Sequence, residues 1–368
     1  MKRILRKIDF RDLIIFYALV ALWLLLIIFN APGFRQFSTF ASIMQIASFM
    51  GICGVGMTLC IASKHFDQSI ASMSALLGCT FVVLLKAFSD RPPQEIVGVV
   101  VRPDGVEYMG IAWHGILAAF LITIALGVVC GLLNGTLVAK LKIPAFIATL
   151  GTLYVLRGSA YLVTGSNPVV INQVMTTDQY GIFHYLGTGK IFGIPFSFYV
   201  MLVCAAMGGV ILRKMKLGRD ALAIGNSVEA SRISGINIDR TKILVFTLLG
   251  FFVGIAAILN TCFVASANPG MFQRFEFDVI TTVVLGGTAL AGGKGSIFNS
   301  IAAALFIATL TVCMPLLGIN PYYDGLIRGI ILLVAFSSNE IRRLIEARRV
   351  KATARRDATL RAASDADK

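Results

Sequence analysis

A series of apolar stretches, most of them close to 20 residues long, constrains this chain more than any other feature. A helix of about 20 apolar residues crosses the hydrocarbon core of a bilayer, and ten such stretches occur in 368 residues. Charged residues make up only 14% of the chain, whereas soluble domains carry about 25%. The composition excludes a soluble domain and a disordered chain, and it predicts an all-α polytopic membrane protein with about ten transmembrane helices. The predicted spans lie near residues 13–29, 42–62, 70–88, 113–133, 143–164, 194–212, 242–265, 279–291, 297–317 and 322–338.

Basic residues are distributed unevenly among the segments that join these spans. With the N-terminus inside, 25 of the 33 Lys and Arg residues fall in cytoplasmic segments and 6 in outer segments. Because cytoplasmic loops are enriched in Lys and Arg, this asymmetry predicts that both termini are cytoplasmic. The predicted domains are a cytoplasmic N-terminus (1–12), a transmembrane domain (13–338) with a long cytoplasmic loop (213–241), and a basic cytoplasmic tail (339–368).

The net charge of +14 indicates either a nucleic-acid partner or an anionic membrane surface. The basic residues are scattered over loops and lack interleaved aromatic residues, which argues against nucleic acid. A basic tail beside anionic lipid accounts for the excess charge, so membrane lipid is the predicted partner. The first apolar stretch has no small-residue cleavage site after it, and we interpret it as a span and not as a signal peptide.

Residues for catalysis or metal binding are sparse. The seven cysteines lie in apolar stretches without a CxxC pair, and the three histidines are far apart, so neither a zinc site nor a disulfide framework is expected. The glycine run ending at Lys294 fails the phosphate-loop pattern, because Thr288 and Gly295 stand where Gly and Ser or Thr are required. Glu276 and Asp278 diverge on a predicted helix. They form a polar lip at a solute entrance, an interfacial anchor, or the acidic residues that helix starts prefer. No catalytic residue and no metal ligand are predicted.

Two interruptions break the apolar pattern. Residues 63–69 read Ser-Lys-His-Phe-Asp-Gln-Ser between the second and third spans, and the glycine-rich residues 286–295 end a short apolar run. A helix of about 13 residues cannot cross about 30 Å of hydrocarbon, and non-helical backbone at membrane depth requires surrounding protein or a water-filled cavity. One interruption in each half predicts broken or re-entrant segments around a central path, as in transporters.

Ionisable residues within or beside predicted spans are costly and often functional. We expect Arg157, in the outer half of the fifth span, to face an aqueous cavity, to pair with a carbonyl group or to extend to the interface. Asp67, with Ser69 after it, either caps the third span or lines the path.

The cytoplasmic loop 213–241 contains a pattern for a short helix. Asn226 and Ser227 precede the acidic Glu229, which is typical of a helix capped by Ser227 or Asn226. The pattern predicts a short exposed helix that docks into a groove of another protein, with a solvated loop as the alternative. Three apolar residues follow at a spacing that places them near one side of such a helix, namely Ala230, Ile233 and Ile236.

Several motifs, in this order along the chain, resemble one transporter family. Residues 143–152 read Ile-Pro-Ala-Phe-Ile-Ala-Thr-Leu-Gly-Thr and lead to Arg157-Gly158, and residues 217–236 contain Leu-Gly-Arg, Ala-Ile-Gly-Asn, Glu-Ala and Ser-Gly-Ile. Residues 275–293 contain Phe-Glu-Phe-Asp and Leu-Gly-Gly-Thr, and residues 320–323 read Asn-Pro-Tyr-Tyr. From about residue 40 to 345 the chain closely resembles the permease subunits of sugar-type ABC importers, the ribose, xylose and galactose family.

The resemblance implies a multi-pass permease subunit that moves a sugar or sugar-like solute across a bacterial inner membrane. It implies three partners: an ABC ATPase subunit, a periplasmic or lipid-anchored solute-binding protein, and a second permease subunit in a homo- or heterodimer. ATP is then bound by the partner ATPase, so this chain is a transport subunit without a cofactor and not an enzyme. The residues implied to contact the ATPase are Gly218, Arg219, Ala223, Gly225, Asn226, Glu229, Ala230, Ser234 and Gly235. The candidates for the substrate path are Asp67, Ser69, Asn134, Thr149, Arg157, Glu276 and Asp278.

The first interruption departs from the family pattern. Members of the family usually have Gly-Gly-Ile-Asp-Leu-Ser-Val-Gly, whereas residues 64–71 read Lys-His-Phe-Asp-Gln-Ser-Ile-Ala here. Since glycine permits left-handed backbone and close approach, we expect this hairpin to be built differently. The alternatives are a self-contained secondary transporter or channel, an intramembrane enzyme, or the same importer acting on a nucleoside, polyol or signalling furanose.

Overall fold

The chain is built almost wholly from α-helices, which confirms the predicted all-α class. The computed structural model describes residues 14–29, 31, 33–88, 100–102, 105–107, 113–171, 177–320, 323, 325–331, 333–334 and 337. The helices are α1 (Ile14–Ile28), α2 (Phe37–Ala62), α3 (Ile70–Ala87), α4 (Trp113–Ala139), α5 (Ala145–Thr164), α6 (Thr177–Thr188), α7 (Phe196–Lys214), α8 (Lys216–Asn226), α9 (Val228–Ile233), α10 (Ile238–Val264), α11 (Phe275–Leu285) and α12 (Ile297–Leu316).

Short antiparallel strand pairs join some of the helices. Val169 pairs with Ala267 and so connects the segment after α5 to the segment after α10. The other two pairs are local hairpins, β1 with β2 and β4 with β5. The strands are β1 (Val100–Arg102), β2 (Gly105–Glu107), β3 (Val169–Val170), β4 (Lys190–Ile191), β5 (Ile194–Pro195) and β6 (Ser266–Ala267).

Seven of the described helices are long and apolar enough to cross a membrane, namely α2, α3, α4, α5, α7, α10 and α12. These helices correspond to seven of the ten predicted spans. Helix α1 is apolar but has 15 residues, and α11 has 11. The tenth predicted span (322–338) is described only in part, and the terminal segments 1–12 and 339–368 lie outside the described residues, so the count of ten and the cytoplasmic termini stay predictions.

Helix α2 lies at the centre of the bundle, where it contacts α7, α10, α11 and α12. Every residue from Ala47 to Ala62 is buried. Glycine permits this close packing, because a methyl group added at Gly56 would lie 2.7 Å from the Cα of Leu249 on α10. The central position of α2 brings its C-terminal end, and the first interruption after it, into the interior.

Helices α4 and α10 pack backbone to backbone along their length. A methyl group added at Gly127 or Gly131 would collide with the carbonyl oxygens of Gly250 or Phe246 on α10. Small residues at four-residue spacing allow such close approach between membrane helices. The structure thus identifies α10 as the helix on which the glycines of α4 pack.

Residues Tyr322–Lys368 form a compact unit separate from Met1–Pro321. Within it, residues 325–331 are helical. All residues of the candidate site belong to the first unit.

Candidate functional site

The first interruption is a non-helical turn between α2 and α3. Its backbone takes a left-handed conformation at Lys64, with φ of 68°, where the family usually has glycine. A non-glycine residue in this conformation costs about 1–2 kcal/mol. The turn therefore has a left-handed backbone conformation, which glycine favours, at a position occupied by lysine.

Asp67, Ser69 and Asn134 form a buried hydrogen-bonded cluster at this turn. The Oδ1 of Asp67 accepts from the backbone N–H of Ser69 at 2.7 Å and from its hydroxyl at 2.6 Å. The Oδ2 of Asp67 accepts from the Nδ2 of Asn134 at 2.8 Å, and the same Nδ2 lies 2.8 Å from the Ser69 hydroxyl oxygen. All three side chains are at most 1% exposed. The cluster fastens α4 to the first interruption.

Asp67 lies two residues before Ser69, the N-cap residue of α3, whose own side chain makes no capping hydrogen bond. The Asp67 carboxylate accepts from the Ser69 N–H and so closes a tight turn at the start of α3, the kind of bond by which an aspartate caps a helix. No Lys or Arg of the described part forms an ion pair with Asp67, and burial raises the pKa of this carboxyl group while the hydrogen bonds from Ser69 and Asn134 oppose the rise. The site thus stabilises a buried carboxylate by hydrogen bonds alone.

The second interruption is a glycine stretch, residues 286–295, between α11 and α12. Gly287, Gly292 and Gly293 have φ of +84°, +82° and +78°, which glycine adopts readily. Helix α12 then starts at Ile297, where the Ser296 side chain accepts from the N–H of Asn299 at 3.4 Å. The expected break in the membrane helix is confirmed.

The loop predicted to be cytoplasmic folds into two helices, α8 and α9, and we name residues 216–236 the coupling hairpin after the role predicted for them. The predicted short helix is confirmed as α9, and the Ser227 hydroxyl accepts from the N–H of Ala230 at 3.2 Å, as a cap does. Helix α8 was missed by the sequence interpretation. Its buried residues Gly218, Ala221, Ile224 and Gly225 recur at three- and four-residue spacing, a signal that the high charge of the segment obscured.

The residues implied to contact the ATPase divide into two groups. Gly218 lies against the backbone of Ile211 and Leu212, and Gly225 lies against Ala62 and the glycine stretch. These two glycines are buried within the chain, so they pack the hairpin and do not form an open docking surface. Ala223 is half-buried, and the exposed members are Arg219, Asn226, Glu229, Ala230, Ser234 and Gly235. A contact between these residues and an ATPase stays a prediction.

The exposed face of α9 carries the apolar side chain that the docking prediction requires. Ile233 is 83% exposed, and Ile236 is half-buried. Glu229 and Arg232 on the same short helix lie 4.0 Å apart, a surface ion pair of little energy. Helix α9 therefore exposes two large apolar side chains, Ile233 and the 37% exposed Val228, beside the charged Glu229 and Arg232.

The remaining path candidates do not join the Asp67 cluster. Thr149 is buried and donates to the carbonyl of Ala145 at 2.8 Å, one turn back in its own helix. Arg157 donates to the carbonyl oxygens of Pro269 and Met271 at 2.6 and 2.7 Å, which confirms the carbonyl pairing among the three alternatives.

The two acidic candidates lie in the first turn of α11. Glu276 is 8% exposed, its Oε2 has no hydrogen-bond partner among the described residues, and its charge attracts that of Arg157. Asp278 is half-buried. Arg157 and Glu276 thus form a second polar region, apart from the cluster at the first interruption.

A cavity of about 520 Å³ lies beside α9 and the first interruption. Its charged lining consists of Lys142, Arg232, Lys242 and Asp239, with His65 at its wall. Burial and the nearby Lys242 lower the pKa of His65 to about 4, so this imidazole is neutral at pH 7. The cavity has a net positive lining.

The described residues contain no group of three His, Cys, Asp or Glu side chains placed to hold a metal ion. The seven cysteines are buried thiols.

Comparison with known proteins identifies permease components of transport systems as relatives of this chain. Residues 39–336 match a family model described as a branched-chain amino acid transport system / permease component. The ribose import permease protein RbsC of Escherichia coli K12 is 33% identical over 86% of this chain and 91% of its own length. The L-arabinose transport system permease protein AraH of the same strain is 34% identical over 83% of both chains. RbsC of Bacillus subtilis 168 is 31% identical over 87% of this chain and 90% of its own length. No solved structure gives a significant match.

These matches cover most of the chain and confirm the resemblance found in the loop and interruption motifs. The relatives are permease subunits of importers, and in such systems a separate subunit hydrolyses ATP. The chain therefore belongs to the sugar-type permease family of ABC importers, as a multi-pass transport subunit of the inner membrane.

Proposed function

We propose that this chain forms the membrane path for a sugar or sugar-like solute, and that the exposed face of α9 is where the ATPase subunit docks. The observation that carries the proposal is the position of the coupling hairpin. Its outer helix is exposed, and its inner helix packs on α2 and on the glycine stretch. The first residue of α9, Val228, is thus three residues from Gly225, which contacts Ala62 and the glycine stretch.

The ATP-driven step follows from this arrangement. ATP binds to the partner ATPase and closes it, and the closure displaces α9 through Glu229, Ala230 and Ile233. Helix α8 moves with α9 because only Ser227 separates them. The interruptions are the segments where the membrane helices can bend, since their backbone is not held in a continuous helix. Movement there exposes the path alternately to the two sides.

The ligand class rests on the relatives, whose names specify ribose and L-arabinose. We propose a pentose or a similar small polyhydroxylated solute, delivered by a binding protein that is periplasmic or lipid-anchored. A second permease subunit completes the path, as a second copy of this chain or as a related chain. Nucleosides, polyols and signalling furanoses are the other solutes to be tested.

The test is uptake by proteoliposomes that contain this chain together with the ATPase and the binding protein that co-purify with it. We expect uptake of radiolabelled ribose or arabinose only when two conditions are met. ATP must be supplied on the side of the membrane where the ATPase lies, and the binding protein must be present. Glu229→Arg is expected to abolish uptake, whereas Lys190→Glu, an equally exposed charge reversal in β4, leaves it intact. Uptake driven by an ion gradient without ATP would instead establish a secondary transporter.

A further inference from the structure

The coupling hairpin, α2 and the glycine stretch meet at one point through their backbones. The N–H of Gly293 donates to the carbonyl of Ala62, the last residue of α2, at 2.9 Å. A methyl group added at Gly225 would collide with that same carbonyl oxygen and with the nitrogen of Gly293. No side chain separates the three segments here.

The contact continues on both sides of this point. A methyl group added at Gly292 would lie 2.7 Å from the Cα of Gly225, and one added at Gly293 would overlap the Oδ1 of Asn226. Asn226 is itself held by its own helix, because its Nδ2 donates to the carbonyl of Leu222 at 3.0 Å. The glycine stretch is therefore seated against the C-terminal end of α8.

We infer that Gly225, Gly292 and Gly293 form a glycine joint that transfers movement of the coupling hairpin to the second interruption. The inference rests on the proposed function and assigns positioning roles to three residues that touch neither ATP nor solute. Close-packed backbone transmits displacement without the rotamer changes by which side chains absorb it. The joint also reaches the first interruption, since Ala62 is followed directly by residues 63–69.

The contact between Gly293 and Asn226 can be tested separately from the left-handed backbone conformation of the glycine stretch. Gly287 belongs to the same stretch and has φ of +84°, but a methyl group added there meets nothing within 4 Å. Gly293 has φ of +78° and touches Asn226. Alanine strains the backbone to a similar degree at both positions, so Gly287→Ala is the matched control for the contact made by Gly293→Ala.

The experiment measures solute imported per ATP hydrolysed in proteoliposomes that hold the full complex. We expect Gly293→Ala to lower this ratio on the order of tenfold, within the range usual for coupling between two sites, while ATP hydrolysis and complex assembly continue. Gly287→Ala is expected to keep the wild-type ratio. Equal ratios for Gly293→Ala and wild type would overturn the inference, as would an equal fall for both variants.

A rescue variant separates the joint from a defect in folding. Asn226→Ala removes the side chain that an alanine at 293 would meet, so Gly293→Ala combined with Asn226→Ala is expected to regain most of the ratio. Absence of rescue would show that the Asn226 contact does not carry the coupling. If Gly293→Ala fails to insert, Asn226→Ala alone decides, because it removes the side chain that lies against Gly293 without adding bulk. It is expected to lower the ratio while the ATPase still co-purifies with the permease in wild-type amount, and an unchanged ratio would overturn the inference. A wild-type complex without ATP-dependent import would refute the proposed function itself.

Discussion

Replacing Asn134 tests how the first interruption is held together. Asn134→Ala removes the amide that donates to Asp67 Oδ2 and lies beside the Ser69 hydroxyl, both at 2.8 Å. A hydrogen bond to a charged group contributes about 1.5–3 kcal/mol and a neutral one about 1 kcal/mol. The Oδ1 of Asn134 has no partner among the described residues, so its removal offsets about 1 kcal/mol. We expect the free energy of unfolding to fall by about 1.5–3 kcal/mol.

The assay is reversible unfolding in mixed micelles by titration with sodium dodecyl sulfate, followed by circular dichroism. Asp67→Asn supplies the matched background, because the amide keeps the shape of the carboxylate and removes its charge. In that background Asn134→Ala is expected to cost about 1–2 kcal/mol less, a coupling typical of contacting residues. Equal costs in both backgrounds, or a loss below about 0.5 kcal/mol in the wild type, would refute the assigned hydrogen bonds.

The pH dependence of this variant follows from the burial of Asp67. Because burial raises the pKa of Asp67 above its ordinary value of 3.8, the folded state retains a proton that the unfolded state has released. Stability therefore falls as the pH rises from about 3.8 through the raised value. Asn134→Ala removes a bond to the ionised form, so its cost is expected to be larger at neutral pH than near pH 4. A cost that is independent of pH would contradict this account.

Three further predictions use the same unfolding assay. As the pH falls from 6.5 to 4, the wild type is expected to lose about 3 kcal/mol of unfolding free energy, because the pKa of His65 is lowered to about 4 in the folded state and the unfolded state binds the proton first. His65→Gln is expected to remove this loss. Parallel curves of stability against pH for both proteins would refute the prediction. Gly131→Ala is expected to lower the free energy of unfolding by about 1–3 kcal/mol, because the added methyl group overpacks the contact with α10. At Gly158 an added methyl group meets nothing within 4 Å, so Gly158→Ala is expected to leave the stability unchanged or to raise it. Equal effects of the two substitutions would refute the close packing. Arg157→Lys is expected to lower the free energy of unfolding by about 1–2 kcal/mol, because the ammonium group of the shorter lysine side chain replaces the guanidinium that donates to two carbonyl groups. An unchanged stability would contradict that role.

Patterns among neighbouring residues predicted much of the candidate site. The cap by Ser227 depends on residues three positions apart, and the sequence therefore predicted α9 correctly. The break at residues 286–295 followed from the run of glycines and the short apolar segment before it. Arg157 had three alternatives in the sequence, and the choice among them depended on carbonyl groups more than 100 residues away.

The sequence by itself determined the helical class, the positions of most spans, both interruptions and the family. These follow from hydropathy, capping and motif order, which are properties of neighbouring residues. Only the tertiary structure decided that Asn134 meets Asp67 and that Gly225 meets Ala62 and Gly293. Glycine spacing indicates that a helix packs closely but does not specify its partner, because every glycine exposes the same bare backbone. The partner is fixed only when the whole bundle is assembled around α2, and the joint and the Asp67 cluster are products of that assembly.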